Sequence, residues 1–308
     1  MAKSCTGVLD HRQARDPDRG YRRRMAKKDT VSVRDTLRIG KGAERHHPGS
    51  FPIGPDKKPK GLKDLADAGG RLAELQEALY AEGVGGGNRS LLLVLQGMDT
   101  SGKGGTVGHV LGLVNPMGVR YAGFKKPTAT ERRHHYLWRI RKQLPVPGQV
   151  GVFDRSHYED ILVPRVQKLV PAAEWRKRYA EINAFEKELT EAGTTIVKVF
   201  LDISPEEQLK RLKARLETPA KWWKYNPADL DARAQWNDYQ KAYADIFAKT
   251  STAAAPWYAV PADRKWYRNW LVARLLIETI EEMDPKFPQA GFDPETELKK
   301  LEGVGVSG

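Results

Sequence analysis

Between Gly97 and Lys103 the chain reads Gly-Met-Asp-Thr-Ser-Gly-Lys, which fits G-x-x-x-x-G-K. Residues of these types at this spacing bind phosphate. Glycines let the backbone close around an anion, which successive amides and the positive end of a helix dipole receive. Lys103 adds a point charge that can follow a phosphoryl group as it moves. Gly104 stands where a Ser or Thr usually supplies a magnesium ligand. Another group must then hold the metal, and Asp99, inside the loop, is the nearest carboxylate. Beside bound phosphates a carboxylate is tolerable only if a cation bridges them. The alternative is that Asp99 only caps the helix or stabilises the turn. Thr106 lies a turn deep in the helix and reads as structural.

A second group of reactive residues is Asp154-Arg-Ser-His-Tyr-Glu-Asp160, directly after the apolar run Gln149–Phe153. An acidic residue closing a strand beside a phosphate loop reaches magnesium directly or through water. Arg155 then serves as a cation in cis, because guanidinium offers a planar fork of donors to phosphoryl oxygens. Glu159 and Asp160 are close enough to share in holding metal or water. His157 reads as a hydrogen-bonded packing residue. His134 and His135 are adjacent, so they point to different helix faces and make a poor metal pair. Arg132, Arg139 and Lys142 share a face that could line a phosphate track, with solvated charge preferred for Arg132 and Lys142. Over residues 209–247, basic helices flank an aromatic, proline-bounded connection containing Trp222 and Trp223, which suits a mobile lid over a nucleotide.

These groups need a scaffold that delivers them to one edge. Leu91–Leu95 is an apolar run entering the phosphate loop, and Lys103–Val114 continues it as a helix. Further strands are expected at Val119–Phe124, Gln149–Phe153, Thr194–Ile203 and Pro256–Val260. Helices are expected at Leu62–Tyr80, Thr128–Leu144, Tyr158–Lys168, Ala172–Ala192 and Lys265–Met283. Ser204-Pro-Glu-Glu opens another with a cap, a first-position proline and an acidic first turn. Strands alternating with helices predict an α/β fold: a P-loop kinase-like three-layer α/β/α arrangement with a parallel sheet and a helical lid.

The 308 residues suit one such domain plus tails. Residues 1–50 read as a basic, disordered arm holding +7 of the +13 net charge, with Met25 an alternative start. Residues 51–285 form the phosphotransferase domain, opening on a Pro/Gly/Lys-rich linker over 51–61, and 286–308 a C-terminal extension. Cys5 is the only cysteine, so an intrachain disulfide is excluded and a reducing cytoplasm is the expected compartment. No apolar run has the length of a membrane span.

The stretches Gly97-Met-Asp-Thr-Ser-Gly-Lys-Gly-Gly-Thr, Val114-Asn-Pro-Met-Gly, Phe124-Lys-Lys-Pro-Thr, Leu137-Trp-Arg, Phe153-Asp-Arg-Ser-His-Tyr-Glu-Asp and Ala255-Pro-Trp-Tyr-Ala-Val-Pro-Ala-Asp resemble the family-2 polyphosphate kinases. The similarity runs over about residues 31–285, far beyond the phosphate loop. It implies reversible, magnesium-dependent phosphoryl transfer between inorganic polyphosphate and a nucleoside mono- or diphosphate, with manganese as a substitute metal and a homo-oligomeric assembly. Motif matching makes Asp99, Lys103, Asp154 and Arg155 catalytic. Gly97, Gly102, Gly104, Lys125 and Arg139 would hold phosphates, and Asp99, Asp154 and Glu159 the metal. Some single-domain relatives carry Asn at the position of Asp154. The competing enzyme reading is an ATP-dependent nucleoside monophosphate kinase of the thymidylate-kinase type, which also pairs a phosphate loop with Asp-Arg after a strand. A nucleic-acid-dependent ATPase ranks below both, because no separate binding module is visible; nucleic acid and membrane are not expected partners.

Overall fold

The computed structural model describes residues 31–40 and 44–304, and Val33 onward belongs to one compact unit. Its centre is a five-stranded parallel sheet of β1 (Ser90–Gln96), β2 (Val119–Gly123), β3 (Val150–Asp154), β4 (Thr194–Asp202) and β5 (Trp257–Pro261), in the order β2-β3-β1-β4-β5. β1 lies in the middle, which explains its unbroken apolar run: both faces are covered. Leu91, Leu93 and Leu95 enter one core while Leu92 and Val94 enter the other, the two-residue alternation of a strand. Each of these side chains contributes about 1.5–3 kcal/mol by leaving water.

On the first face pack α1 (Val33–Leu37), α2 (Lys58–Val84), α3 (Lys103–Val110) and α10 (Lys265–Met283). The second face is covered by α4 (Leu137–Arg141), α5 (Glu159–Val166), α6 (Ala172–Glu191) and α9 (Trp236–Thr250). The three-layer expectation therefore holds. Above the C-terminal strand ends, α7 (Pro205–Leu216), a 3₁₀ turn at Pro219–Lys224 and α8 (Ala228–Ala234) form a helical flap. α7 starts as expected, with the Ser204 side chain accepting from Glu207 N. The last helix, α11 (Pro294–Gly303), is capped by Asp293 and exposed.

Four boundaries depart from expectation. The arm assigned to residues 1–50 is folded where it is described from Val33. Val33 and Leu37 are buried, the amides of Val33 and Arg34 donate to the Glu278 carboxylate, and Arg38 bridges Tyr258 antiparallel to the sheet. An apolar i, i+4 pair hidden among charges is enough to anchor one turn of helix. Residues 1–30, and with them Cys5 and Met25, lie outside the described residues. The linker over 51–61 ends early, because Pro59 sits in the first turn of α2, where a missing N–H costs nothing. The helix expected over Thr128–Leu144 is a 3₁₀ turn at Glu131–Arg133, an extended residue at His134, and then the short α4. Finally, the lid does not run to residue 247: Tyr239, Ala242, Tyr243, Ile246 and Phe247 of α9 are buried in the second core, so α9 belongs to the body.

Candidate active site

The phosphate loop leaves β1 through Gly97, whose φ is 147°. A Cβ there would stand 2.7 Å from Leu201 O and 2.8 Å from Ser101 Oγ, so only glycine fits. Gly102, at φ 109°, starts α3, and its carbonyl accepts from Thr106 N at 2.9 Å. Lys103 is the first residue of that helix. Its side chain is buried and folds back along the loop, Nζ donating to Gly97 O at 2.8 Å. Burial lowers the ammonium pKa while Asp99 raises it, and burial prevails. Gly104 faces open space.

β3 ends at Asp154 one strand away, paired in register with β1, and the next residue turns sharply. Arg155 has φ 65°, left-handed for a residue with a side chain, and its N–H donates to Leu95 O at 3.0 Å. Such a conformation costs about 1–3 kcal/mol and persists only where the surroundings enforce it. Here Ser156, His157 and Tyr158 are fully buried immediately after it. The turn sends the guanidinium across to the loop, where Nη2 lies 2.9 Å from Asp99 Oδ1. Burial opposes the charge on both partners. Lys103 and Arg155 outweigh it for Asp99, whose pKa falls below the ordinary carboxylate value, and Glu159 and Asp99 outweigh it for Arg155, whose pKa rises. Glu159 behaves differently: burial raises its pKa even against Arg155 and Lys103. The site thus holds two carboxylates whose pKa values move in opposite directions, Asp99 down and Glu159 up.

The structure brings Gly97, Asp99, Gly102, Lys103, Gly104, Asp154, Arg155 and Glu159 to one end of the sheet. Lys125 is exposed just beyond β2, where Phe124 N donates to Asp154 O at 3.0 Å. Arg139 is placed otherwise than expected. It is 6 % exposed, paired with Asp160 at 3.2 Å, and donates to Lys125 O at 2.8 Å. Both Nη atoms are bonded to protein, so it shapes the segment that presents the exposed Lys125. Asp160 is correspondingly consumed by Arg139. Arg132 and Lys142 are exposed, the latter over the Trp138 ring at 3.7 Å. His157 bonds Glu186 at 3.1 Å in the core, as a packing histidine should.

Several contributors escaped the motif search. Gln208 Nε2 reaches Asp99 O at 3.4 Å, Arg211 donates to Thr100 O and Ser101 O at 2.9 and 3.2 Å, and Arg215 acts electrostatically on Asp99. The signal was present, since positions 208, 211 and 215 fall on one face of a helix. Arg215 also pairs with Asp229 at 3.2 Å, which ties α7 to α8 within the flap. Trp222 and Trp223 stand 59 % and 79 % exposed at the flap tip, and Trp222 Nε1 donates to Leu216 O.

A metal would find Asp99 and Asp154 at the strand ends, with Glu159 behind them. Among the described residues no group of three His, Cys, Asp or Glu forms a closed cage. Magnesium, if bound here, would use one or two of these carboxylates, with substrate phosphates and water completing the octahedron. A phosphate loop facing two carboxylates and an in-cis arginine is a phosphoryl-transfer site. Comparison with known proteins specifies which kind. Residues 56–288 match the family model of polyphosphate kinase 2. The chain belongs to the polyphosphate kinase 2 family. An AMP/ADP-polyphosphate phosphotransferase of Meiothermus ruber is 48 % identical over 244 residues, covering 79 % of this chain and 88 % of that one. An ADP-polyphosphate phosphotransferase of Rhodopseudomonas palustris is 42 % identical, covering 71 % and 78 %. The crystal structure of polyphosphate kinase 2 from Arthrobacter aurescens superimposes with a TM-score of 0.87 at 49 % identity, covering 90 % of this chain and 99 % of that one. Membership in this polyphosphate kinase 2 family carries phosphoryl transfer between polyphosphate and a nucleotide, and not the ATP-dependent monophosphate kinase.

Proposed function

We propose that this enzyme transfers a phosphoryl group directly and in line between polyphosphate and a nucleoside mono- or diphosphate. The observation that supports this most is the Arg155–Asp99 pair at 2.9 Å, which fixes the strand-end cation against the phosphate loop. Lys103 and Arg155 flank the moving phosphoryl from the two sides and neutralise the charge on its equatorial oxygens. The loop amides from Gly102 onward orient it, and Lys125 holds a further unit of the polyanion. Asp99 with Asp154 would hold magnesium, which would supply neutralisation of the phosphate charge. Asp99 is already ionised and needs no proton loss to serve as ligand. Glu159 suits a part in ordering water and the Gln96 amide, whose nitrogen stands 3.1 Å from Glu159 Oε1 when the amide is turned to satisfy both groups. The flap of α7 and α8 excludes water when a nucleotide is bound, and Arg215 follows it onto the phosphates.

A homo-oligomer in the cytoplasm completes this reading, and both AMP and ADP serve as acceptors. The deciding assay mixes purified protein, magnesium and polyphosphate with ADP or AMP and separates the nucleotides by anion exchange. ATP formed from ADP, or ADP formed from AMP, is the expected result. Products independent of polyphosphate would overturn the reading. Light scattering after gel filtration tests the assembly.

A further inference from the structure

Arg268, on α10, is 2 % exposed and lies directly beneath the phosphate loop. Nη1 donates to Ser101 O at 3.1 Å, while Nε and Nη2 donate to Asn269 Oδ1 at 3.1 and 2.7 Å. A Cβ on Gly102 would fall inside this guanidinium, and one on Gly105 would stand 3.0 Å from Nη2. Gly105 is not demanded by the G-x-x-x-x-G-K pattern. The two glycines make room for a cation under the loop, whereas Gly104 faces open space on the other side.

Arg211 supports the same loop, but its charge is matched: Nε pairs with Glu207 at 2.9 Å. No carboxylate is paired with Arg268 among the described residues; its bonded acceptors are neutral. It also sits at the start of α3, where the helix dipole is positive. A buried charge in that position is costly without a nearby anion. Burial and Arg211 together push its pKa down to about 9, which still leaves it protonated at neutral pH.

We propose that Arg268 is a positioning residue whose buried, unmatched charge is balanced by phosphoryl groups bound on the opposite face of the loop. Phosphate binding and loop stability are thereby coupled through it. The inference rests on the loop being the phosphate site. Its consequence is that supplying Arg268 with an internal counter-ion weakens phosphate binding even though every hydrogen bond is kept.

Asn269→Asp does this, because one carboxylate oxygen takes the place of Oδ1 against the guanidinium. Arg268→Met removes the charge instead. The measurements are the thermal midpoint with and without inorganic tripolyphosphate and magnesium, and kcat and KM for polyphosphate. The expected result for both variants is a ligand-induced shift less than half that of the unmodified enzyme. KM for polyphosphate should rise about tenfold while kcat changes much less. For Asn269→Asp the midpoint without ligand should also rise. A purely structural brace predicts the reverse for Asn269→Asp: an unchanged shift and an unchanged KM, and that result overturns the inference. Should Arg268→Met fail to fold, Asn269→Asp alone decides. If the unmodified enzyme shows no shift with tripolyphosphate, the phosphate-site reading fails and this inference with it. A normal shift that survives in Asn269→Asp sinks the inference alone.

Discussion

Arg155 Nη2 and Asp99 Oδ1 stand 2.9 Å apart, joining the end of β3 to the phosphate loop that follows β1. The two strands are hydrogen-bonded neighbours, so the pair spans the narrowest distance available between the reactive segments. Arg155 reaches it only by adopting a left-handed backbone. The enzyme thus places a strained residue and a half-buried ion pair where charge must be managed during transfer.

Removing either side of that pair should be costly. Asp99→Ala is expected to lower turnover by about 10²–10³-fold, the usual cost of losing one group that stabilises developing charge. Arg155→Lys should lose nearly as much, because an ammonium keeps the charge but not the planar fork. Initial rates at saturating polyphosphate and magnesium check both, and full turnover in Asp99→Ala would remove its assignment as metal holder.

Magnesium dependence offers a separate check. EDTA should abolish transfer, and added magnesium should restore it without refolding, since Asp99 and Asp154 form no closed cage that the fold depends on. Asp154→Asn should raise the magnesium concentration needed for half-maximal rate by about tenfold, the scale on which losing a ligand's charge weakens a metal. An unchanged magnesium curve would assign Asp154 to another task.

Asp202, at the end of β4, gives a stability prediction with a defined pH window. Burial, helped by Asp263 and opposed by Arg45 at 3.0 Å, pushes its pKa from 3.8 up to about 6. A folded-state pKa above the unfolded one means that the stability it contributes is fully present below about pH 4 and lost as pH rises through about 6. Asp202→Asn should therefore gain in thermal midpoint relative to the unmodified enzyme between pH 4 and pH 8. The full excursion is worth at most about 3 kcal/mol. A difference that is flat with pH would show that Arg45 compensates the charge completely.

Much of this site was legible in the sequence, and the exceptions have physical causes. The loop, Asp99, Lys103, Asp154 and Arg155 were readable because they are contiguous with the strands that deliver them, and periodicity locates strands well. The partner of Arg139 was not legible, since charge on a helix face says nothing about what it meets: Asp160, 21 residues away, bonds its Nη2. Arg268 was missed because its target is a backbone carbonyl of a distant loop, for which sequence has no code, whereas Arg211 was marked only by sharing a helix face with Gln208 and Arg215. The lid was drawn too long because α9, rich in Lys, Asp and Asn on one side, hides a continuous apolar stripe from Tyr239 to Phe247.

The buried network behind Arg155 supplies the last test. Lys198 is fully buried on β4, with Nζ 2.6 Å from Glu186 Oε2, 3.0 Å from Tyr158 OH and 2.7 Å from Thr250 O. Glu186 in turn accepts from Tyr158 OH at 2.7 Å and meets His157 at 3.1 Å. His157 and Tyr158 follow Arg155 closely in the chain, so this network anchors its turn. Lys198→Met leaves Glu186 buried without its main counter-ion and should destabilise by about 3–5 kcal/mol. Adding Glu186→Gln keeps the bonds to Tyr158 and His157 but removes the stranded charge, so the double variant should recover most of that loss. Denaturant unfolding of both single variants and the double variant measures the coupling. Additive costs would mean that Lys198 and Glu186 act independently and that the turn at Arg155 is held by packing alone.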